Sequence, residues 1–172
     1  MTQRAHVHLL DANVLIDANR DYYPIDRVPE YWEWLEFQCL MGHVKLPVEI
    51  YEEVKGGSDA VASWVKDRTR RSSLLLDAEP DPNLVQRVVA AGYSSDLTET
   101  ELIKVGRDPI LVSYALARPG AFCIVTTETS KPSKQRANRK IPDVARDVGV
   151  RTCSPFEFMR ELDFRTSWTR PT

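Results

Sequence analysis

Short apolar segments of strand length alternate along this chain with longer segments that have the apolar spacing of helices. Residues 6–10 form the first short segment, and residues 122–125 and 150–153 form later ones. Strands that alternate with helices build a parallel sheet with helices on both of its faces. The sequence therefore predicts an α/β fold, a three-layer α/β/α sandwich around a central, mostly parallel sheet.

The bounds of the predicted elements follow from the spacing of apolar residues, the positions of prolines and the glycines at which helices end. For example, Pro29 suits a first helical turn and Gly42 suits the end of that helix. The predicted strands are residues 6–10, 44–46, 73–76, 122–125 and 150–153. The predicted helices are residues 14–18, 29–41, 47–54, 59–70, 83–91, 108–117, 142–148 and 155–162.

Length and composition predict one domain. A chain of 172 residues, 42% of them hydrophobic, suffices for one core. We expect this domain to cover residues 1–163 and a loosely ordered tail to cover residues 164–172. The net charge of −2 means that any nucleic acid must be bound by a local patch. No segment has the length of a membrane span or a signal peptide, so we expect a cytoplasmic protein that contacts no membrane.

The three cysteines, Cys39, Cys123 and Cys153, have no spacing typical of a metal site. Their odd number and the absence of a pairing pattern favour free thiols in a reducing compartment. Cys123 and Cys153 lie in apolar segments, where cysteine behaves as a small buried hydrophobic residue. We therefore expect no zinc-like cluster of cysteines and histidines.

Asp11 is the residue whose position points most clearly to function. It follows the first predicted strand, and apolar residues flank it on both sides in Leu9-Leu10-Asp11-Ala12-Asn13-Val14-Leu15. In open α/β sheets, ligands bind beyond the carboxyl ends of the strands. The position of Asp11 therefore predicts a role in binding or chemistry rather than in the core.

Other acids fall in equivalent positions, after predicted strands or near the starts of helices. They are Glu49, Glu52, Glu53, Asp108, Glu128 and Asp143. Carboxylates that converge repel one another, and a divalent cation removes that repulsion. Mg²⁺ and Mn²⁺ prefer oxygen ligands, and such ions can activate water and stabilise the oxygens of a phosphodiester. We therefore expect Mg²⁺ or Mn²⁺ as the cofactor.

Most of these acids also have a purely structural interpretation. Asp108 and Asp143 could cap helices, and Glu52 and Glu53 could belong to a solvated helix face. Asp11 fits such an interpretation less well because its flanks are apolar. The functional hypothesis depends on several acids meeting at one edge of the sheet.

The segments around four of these acids resemble the PIN domain, a family of metal-dependent ribonucleases. The order and spacing of the segments match that family over residues 7–162. Glu53 corresponds to the helical glutamate of the family, and Asp108 opens the helix that carries its third acid. The matching segments are Leu10-Asp11-Ala12-Asn13-Val14-Leu15-Ile16, residues 47–54 (PVEIYEEV), residues 108–115 (DPILVSYA) and residues 125–128 (VTTE).

The resemblance implies an endoribonuclease that hydrolyses RNA phosphodiester bonds with carboxylate-bound Mg²⁺ or Mn²⁺. Asn13 and Thr126 are expected to hydrogen-bond to the site and to fix its carboxylates or a water. The implied catalytic residues are Asp11, Glu53, Asp108, Glu128 and Asp143, and the implied metal ligands are Asp11, Asp108, Glu128 and Asp143.

Two choices within this set stay open at the level of sequence. Glu128 stands where the family has an aspartate, and its extra methylene could shift the metal or leave that role to Asp143. Glu49 or Glu52 could replace Glu53 on the same predicted helix. The number of metal ions is also open.

A basic segment lies between Glu128 and Asp143. It is either a solvated loop or an arm that contacts phosphates, which would supply affinity without sequence information. We expect it to bind RNA. Its five cations are Lys131, Lys134, Arg136, Arg139 and Lys140.

Within the PIN family, the chain resembles VapC-type toxins and a larger PIN-like branch. This resemblance implies the toxin of a toxin–antitoxin pair, with a small antitoxin protein as partner. It also implies a homodimer.

Two other functions remain as alternatives. The glutamate at position 128 favours a catalytically weak PIN-like module that binds RNA or a protein partner. Such a module would bind metal without cleaving RNA. A phosphatase of the haloacid-dehalogenase type also has an acid after its first strand. That motif requires a second aspartate where this chain has Asn13, and an assay with a phosphate ester separates the two.

Overall fold

The computed structural model describes residues 6–169, and a parallel sheet lies at their centre. Its strands are β1 (Val7–Leu10), β2 (Val44–Lys45), β3 (Phe122–Val125) and β4 (Arg151–Cys153). They lie in the order β2-β1-β3-β4, and each neighbouring pair is parallel. The central strands β1 and β3 are mostly apolar and buried, which is typical of strands covered on both faces.

Helices flank this sheet, so the fold is the three-layer α/β/α sandwich that the sequence predicts. α1 and α6 each continue into a π-helical turn, over Ala18–Tyr22 and Val89–Tyr93. Within residues 6–169, no helix has the length and apolar character that a membrane span needs. The helices are α1 (Ala12–Asp17), α2 (Pro29–Leu40), α3 (Val48–Lys55), α4 (Ala60–Lys66), α5 (Arg68–Leu74), α6 (Pro82–Val88), α7 (Glu99–Val105), α8 (Asp108–Ala117), α9 (Ile141–Val148) and α10 (Pro155–Glu161).

Aromatic side chains join the sheet to the helices α2 and α10. The ring of Phe158 in α10 lies 5.2 Å from the ring of His8 in β1 and 5.4 Å from the ring of Trp34 in α2. α8 packs against β3, and its residues from Leu111 to Leu116 are buried. Burial of this apolar surface is the main force that holds the layers together.

The sequence predicts a strand over residues 73–76, and this prediction is wrong for most of the segment. α5 extends through Leu74, and Leu75 forms a single parallel bridge with Leu46. The N–H of Leu76 donates to the carbonyl of Leu46 at 2.8 Å. The apolar run of leucines therefore ends a helix and only then touches the edge of the sheet.

The predicted helix over residues 59–70 is divided into α4 and α5 at Asp67. The side chain of Asp67 accepts hydrogen bonds from the N–H groups of Thr69 and Arg70, both at 3.0 Å, and so begins a new helix. An aspartate that caps the N-terminus of a helix satisfies N–H groups that have no partner within the helix.

Part of the C-terminal tail packs on the domain. Residues 1–5 and 170–172 lie outside the described residues, so the predicted bounds of the domain and of the tail are not tested there. The ring of Phe164 lies 4.9 Å from that of Trp34, and the ring of Trp168 lies 5.1 Å from that of Phe37. These aromatic contacts dock the start of the tail on α2, where the sequence predicts loose order.

Candidate metal centre

Asp11, the first acid of the candidate site, lies where β1 ends and α1 begins. Its N–H donates to the carbonyl of Val125 at 3.0 Å, because β1 and β3 are parallel neighbours whose carboxyl ends share one edge. Asp11 is only 6% exposed. Its Oδ2 atom accepts a hydrogen bond of 3.0 Å from Oγ1 of Thr126. Asp11 is thus fixed at the edge where ligands bind in this class of fold.

Thr126 follows β3 and links two of the acids. Its hydroxyl donates to Asp11 and accepts the backbone N–H of Glu128 at 3.1 Å. Its own N–H donates to the carbonyl of Cys153 at 3.1 Å. The carboxylate of Asp11 and the turn that carries Glu128 are therefore held in one arrangement. Asn13, the other residue expected to support the site, is exposed in the first turn of α1.

Asp108 begins α8 and brings a second largely buried carboxylate to the site. Burial raises the pKa of Asp108 to about 7, and the negative charge of Asp11 adds to this shift. Burial likewise raises the pKa of Asp11 to about 6, although the hydrogen bond from Thr126 opposes it. The charges of Glu53 and Glu128 raise both values further. The two glutamates therefore lie close enough to both aspartates, and Asp11 close enough to Asp108, for their charges to repel.

Among the three glutamates of α3, Glu53 is the one whose charge acts on Asp11 and Asp108. The carboxylate of Glu49 instead accepts a hydrogen bond of 3.2 Å from the hydroxyl of Tyr114. Glu52 pairs with Lys55 at 3.1 Å on the surface of the helix. The three positions on α3 are thus distinguished by their partners, which the sequence does not reveal.

The side chain of Glu128 is held in place by two hydrogen bonds, and its negative charge acts on the site from there. Its Oε1 accepts a hydrogen bond from Nζ of Lys140 at 2.8 Å, and its Oε2 accepts the backbone N–H of Ile141 at 2.7 Å. The hydrogen bond to Glu128 is the main cause that raises the pKa of Lys140. The glutamate side chain thus connects the end of β3 to the start of α9.

Asp143 is buried but serves a different part of the structure. Its carboxylate accepts the backbone N–H of Lys131 at 2.7 Å, a bond from the hydroxyl of Ser130, and one of 3.0 Å from Arg146. Burial favours the protonated carboxyl, but these hydrogen bonds outweigh it and lower the pKa of Asp143. The structure thus uses Asp143 to hold the start of the basic segment and does not bring it into the group around Asp11.

Tyr93 is a residue of the site that the sequence analysis missed. Its hydroxyl is buried and, within residues 6–169, has no hydrogen-bond partner. Burial raises its pKa, and the charges of Asp108, Glu128 and Asp11 add to the shift. An unpaired buried hydroxyl beside carboxylates is a group that a bound ion, water or substrate oxygen would satisfy. No sequence signal marks Tyr93, because it lies in a π-helical turn after α6.

Two cations of the basic segment are engaged within the protein. The guanidinium of Arg136 binds both oxygens of Glu101, each at 2.7 Å, and pairs with Asp96 at 2.8 Å. Arg139 pairs with Asp147 at 2.6 Å. These contacts fasten the segment to α7 and α9, so the two arginines fix its course.

Four cations of the segment, all except Arg136, border a cleft of about 360 Å³ that contains Asp108 and Glu128. Lys131 and Lys134 are exposed there, whereas Lys140 is held by Glu128. A cleft with carboxylates inside and cations around it suits a phosphate group together with a metal ion. The cations that line it are Lys104, Lys131, Lys134, Arg139 and Lys140.

A second group of side chains overturns the expectation that histidine and cysteine form no cluster. One ring nitrogen of His8 and the sulfurs of Cys123 and Cys153 all lie within 4.8 Å of one another. The expectation was wrong because spacing along the chain does not reveal neighbours across a parallel sheet. Thiols and imidazole are poor ligands for Mg²⁺ and Mn²⁺, so this cluster is separate from the carboxylate site.

The chain matches a known protein family. A family model described as a domain of unknown function (DUF4411) matches residues 8–166, and the chain belongs to this family. No curated protein and no solved structure matches the chain. The match spans β1 to the docked tail and therefore includes every acid of the candidate site.

Proposed function

We propose that this member of the DUF4411 family is a Mg²⁺- or Mn²⁺-dependent endoribonuclease. The observation that carries the proposal is that the buried Asp11 and the half-buried Asp108 act on each other, with pKa values raised to about 6 and about 7. Buried carboxylates that repel one another lower the stability of the empty site, and a hard cation with oxygen ligands relieves that repulsion. The proposal agrees with the resemblance to PIN domains.

The oxygen donors of the site suit Mg²⁺ or Mn²⁺. Asp11 and Asp108 are the proposed ligands, and Glu53 adds a negative charge that can turn toward the ion because its side chain is exposed. The unpaired hydroxyl of Tyr93 lies beside the same acids. When bound, the ion would supply an activated water and would stabilise charge on the phosphodiester oxygens.

The chain's own residues orient this site. Thr126 holds one oxygen of Asp11 at 3.0 Å, which leaves the other oxygen of that carboxylate for a ligand. Lys140 and the N–H of Ile141 donate to the two oxygens of Glu128. We therefore propose that Glu128 positions the site and adds negative charge to it and does not coordinate the ion. Asp143 anchors the basic segment in the same proposal. Positioning of this kind typically affects metal affinity or activity by ~10- to 100-fold.

The substrate enters this proposal through the cleft beside Asp108. Exposed Lys131 and Lys134 can neutralise phosphates on either side of the bond that is cleaved. Such contacts give affinity without reading bases. RNA, rather than another phosphodiester, is the substrate that the PIN resemblance implies.

A binding module without turnover is a second candidate function. The observation in its favour is that Lys140 and Ile141 engage both oxygens of Glu128, which leaves fewer free carboxylates to bind metal. In that case the protein would bind RNA and Mn²⁺ but would leave the RNA intact.

The resemblance to toxins extends the proposal to partners. A small antitoxin that covers the carboxylate cleft, and a homodimer, are the expected assemblies. Light scattering of the purified chain tests the dimer directly. Co-purification with the product of a neighbouring small gene tests the antitoxin.

Cleavage of end-labelled single-stranded RNA tests the proposed activity. We expect cleavage with Mg²⁺ or Mn²⁺ and none with EDTA, and we expect Asp11→Asn and Asp108→Asn each to lose at least ~100-fold in rate. Glu53→Gln should lose activity, whereas Glu52→Gln on the same helix is the matched control and should keep it.

Two outcomes would contradict the nuclease. One is full activity in the Asp11→Asn variant while its fold is intact. The other is hydrolysis of a phosphate monoester without RNA cleavage, which would indicate a phosphatase instead. Binding of RNA and Mn²⁺ with no cleavage would favour the binding module.

A further inference from the structure

The cluster of His8, Cys123 and Cys153 lies on one face of the sheet. The strand register pairs His8 with Cys123 and pairs Val125 with Cys153. Side chains two residues apart on a strand point to the same face, so Cys123 and Cys153 share the face of His8. The three residues are almost completely buried, with exposed fractions of 2%, 0% and 7%. Three different strands thus bring metal-ligating groups to one buried point.

The orientation of His8 is set by a carboxylate. Nε2 of His8 donates a hydrogen bond of 2.9 Å to Glu161 of α10, since a carboxylate can only accept. Nδ1, the other ring nitrogen, is buried and finds no hydrogen-bond partner in the described chain, so in the tautomer that donates from Nε2 it has a lone pair free for a ligand.

Glu161 is itself held in place by a second partner. Arg151 of β4 donates a hydrogen bond to its carboxylate. A carboxylate that accepts from one ring nitrogen and leaves the other free is the usual support of a metal-ligating histidine.

We propose that His8, Cys123 and Cys153 form a Zn²⁺ site. Zn²⁺ prefers thiolate and imidazole ligands, and three such residues leave one position of its tetrahedral coordination for a further small ligand. Two thiolates neutralise the charge of the ion, so the buried complex carries no net charge. The ion would connect β1, β3 and β4, and through Glu161 it would connect them to α10. The proposal does not depend on the nuclease.

Metal analysis of the full-length protein tests this site. The protein is purified without chelators, its zinc content is measured, and the apo protein is titrated with Co²⁺. We expect one zinc per chain, and with Co²⁺ a thiolate-to-cobalt charge-transfer band together with the intense visible bands of tetrahedral Co²⁺. Cys123→Ser and Cys153→Ser should lose both signals. Cys39→Ser is the matched control, because Cys39 is also buried and free but lies in α2 outside the cluster.

A milder variant tests the site even if the cysteine variants do not fold. Glu161→Gln keeps the ligands and should weaken zinc binding by ~10- to 100-fold, as changes beside a metal ligand do. Asp11→Asn should keep its zinc, so the result is independent of RNA cleavage.

Two results would overturn the proposal. One is wild-type protein that contains no zinc and gives no charge-transfer band with Co²⁺. The other is a Cys123–Cys153 disulfide in freshly purified protein, seen as a loss of two hydrogens in the intact mass.

Discussion

At the scale of single residues, Thr126 makes Asp11 easier to ionise. Its hydroxyl donates to Oδ2 of Asp11 at 3.0 Å and so opposes the rise of the Asp11 pKa that burial causes. Because a metal binds the ionised carboxylate, this hydrogen bond extends metal binding toward lower pH.

Replacing Thr126 tests this role. Thr126→Val removes the hydroxyl, so the pKa of Asp11 should rise by about one unit, which corresponds to about 1.4 kcal/mol and is the size expected for a buried hydrogen bond to a charged group. The acid limb of the pH profile of Mn²⁺-dependent cleavage should move upward by the same amount. Thr126→Ser retains the hydroxyl and should keep the wild-type profile. Identical profiles for all three proteins would contradict this role.

The raised pKa of Asp108 makes stability depend on pH. Its pKa is about 7 in the folded state and 3.8 in the unfolded state, so the folded state binds this proton more tightly. The stabilisation of the folded state by protonated Asp108 is therefore fully present below pH 3.8 and is lost as the pH rises through 7. In EDTA, the wild type should lose on the order of 4 kcal/mol more than Asp108→Asn between those pH values, since one pKa unit corresponds to about 1.4 kcal/mol. Urea unfolding at a series of pH values measures the difference.

Saturating Mn²⁺ provides the control for this pH effect. A bound cation keeps the carboxylates ionised in the folded state, so the wild type in Mn²⁺ should no longer lose stability as the pH rises from 3.8 to 7. Equal pH dependence of the wild type and Asp108→Asn in EDTA would mean that the pKa of Asp108 is not raised in the folded protein.

Prediction from sequence at this scale depends on whether a signal is local. Asp11 stands out because an acid between apolar flanks after a strand is visible within a few residues. The cluster of His8 with Cys123 and Cys153 arises from strand register, and the unpaired hydroxyl of Tyr93 arises from tertiary packing. Neither has a signature in one sequence.

At the scale of elements, the basic segment combines an anchored part with a free part. Arg136 and Arg139 are held by acids of the protein, whereas Lys131 and Lys134 are exposed at the cleft. RNA affinity should therefore depend on the two lysines.

Salt dependence of RNA binding measures the lysine contribution. Lys131→Ala combined with Lys134→Ala should weaken binding and flatten the plot of log affinity against log salt by roughly 0.7 for each charge removed. The control, Lys66→Ala with Arg68→Ala, removes the same charge from exposed positions outside the cleft and should leave the slope unchanged. Equal slopes for both double variants would mean that the lysines contact no phosphate.

The π-helical turn after α6 packs closely on α9. A Cβ added to Gly92 would lie 2.5 Å from Cγ1 of Val144, which is fully buried. We expect Gly92→Ala to destabilise the fold by about 1–3 kcal/mol through overpacking. Adding Val144→Ala should make the double variant less destabilised than the sum of the single variants, as measured by urea unfolding. Additive effects would mean that the two residues are not in contact.

Elements with strong local signals were predicted well. α8 and β3 have the predicted bounds, because a proline at the second helical position and a short run of apolar residues mark them. α7 was missed, although Thr98 and Glu101 form a capping box at its start. Its exposed Leu102 and Ile103 break the amphipathic pattern on which the prediction relied.

At the scale of the whole molecule, the fold holds two candidate centres on one sheet. Asp11 lies just beyond the carboxyl end of β1 and its charge acts on Asp108 at the start of α8, whereas the His8 cluster lies within the strands themselves. Hard oxygen donors and soft thiols select different ions, so the two sites can be loaded and tested separately.

A crystal structure of the protein soaked in Mn²⁺ tests the central claim most directly. Anomalous scattering at the manganese edge locates the ion without reference to activity. We predict Mn²⁺ coordinated by a carboxylate oxygen of Asp11 and one of Asp108, with no such peak in crystals of Asp11→Asn. A structure at saturating Mn²⁺ that has no ion between these two aspartates, or has it bound only elsewhere, would contradict the account.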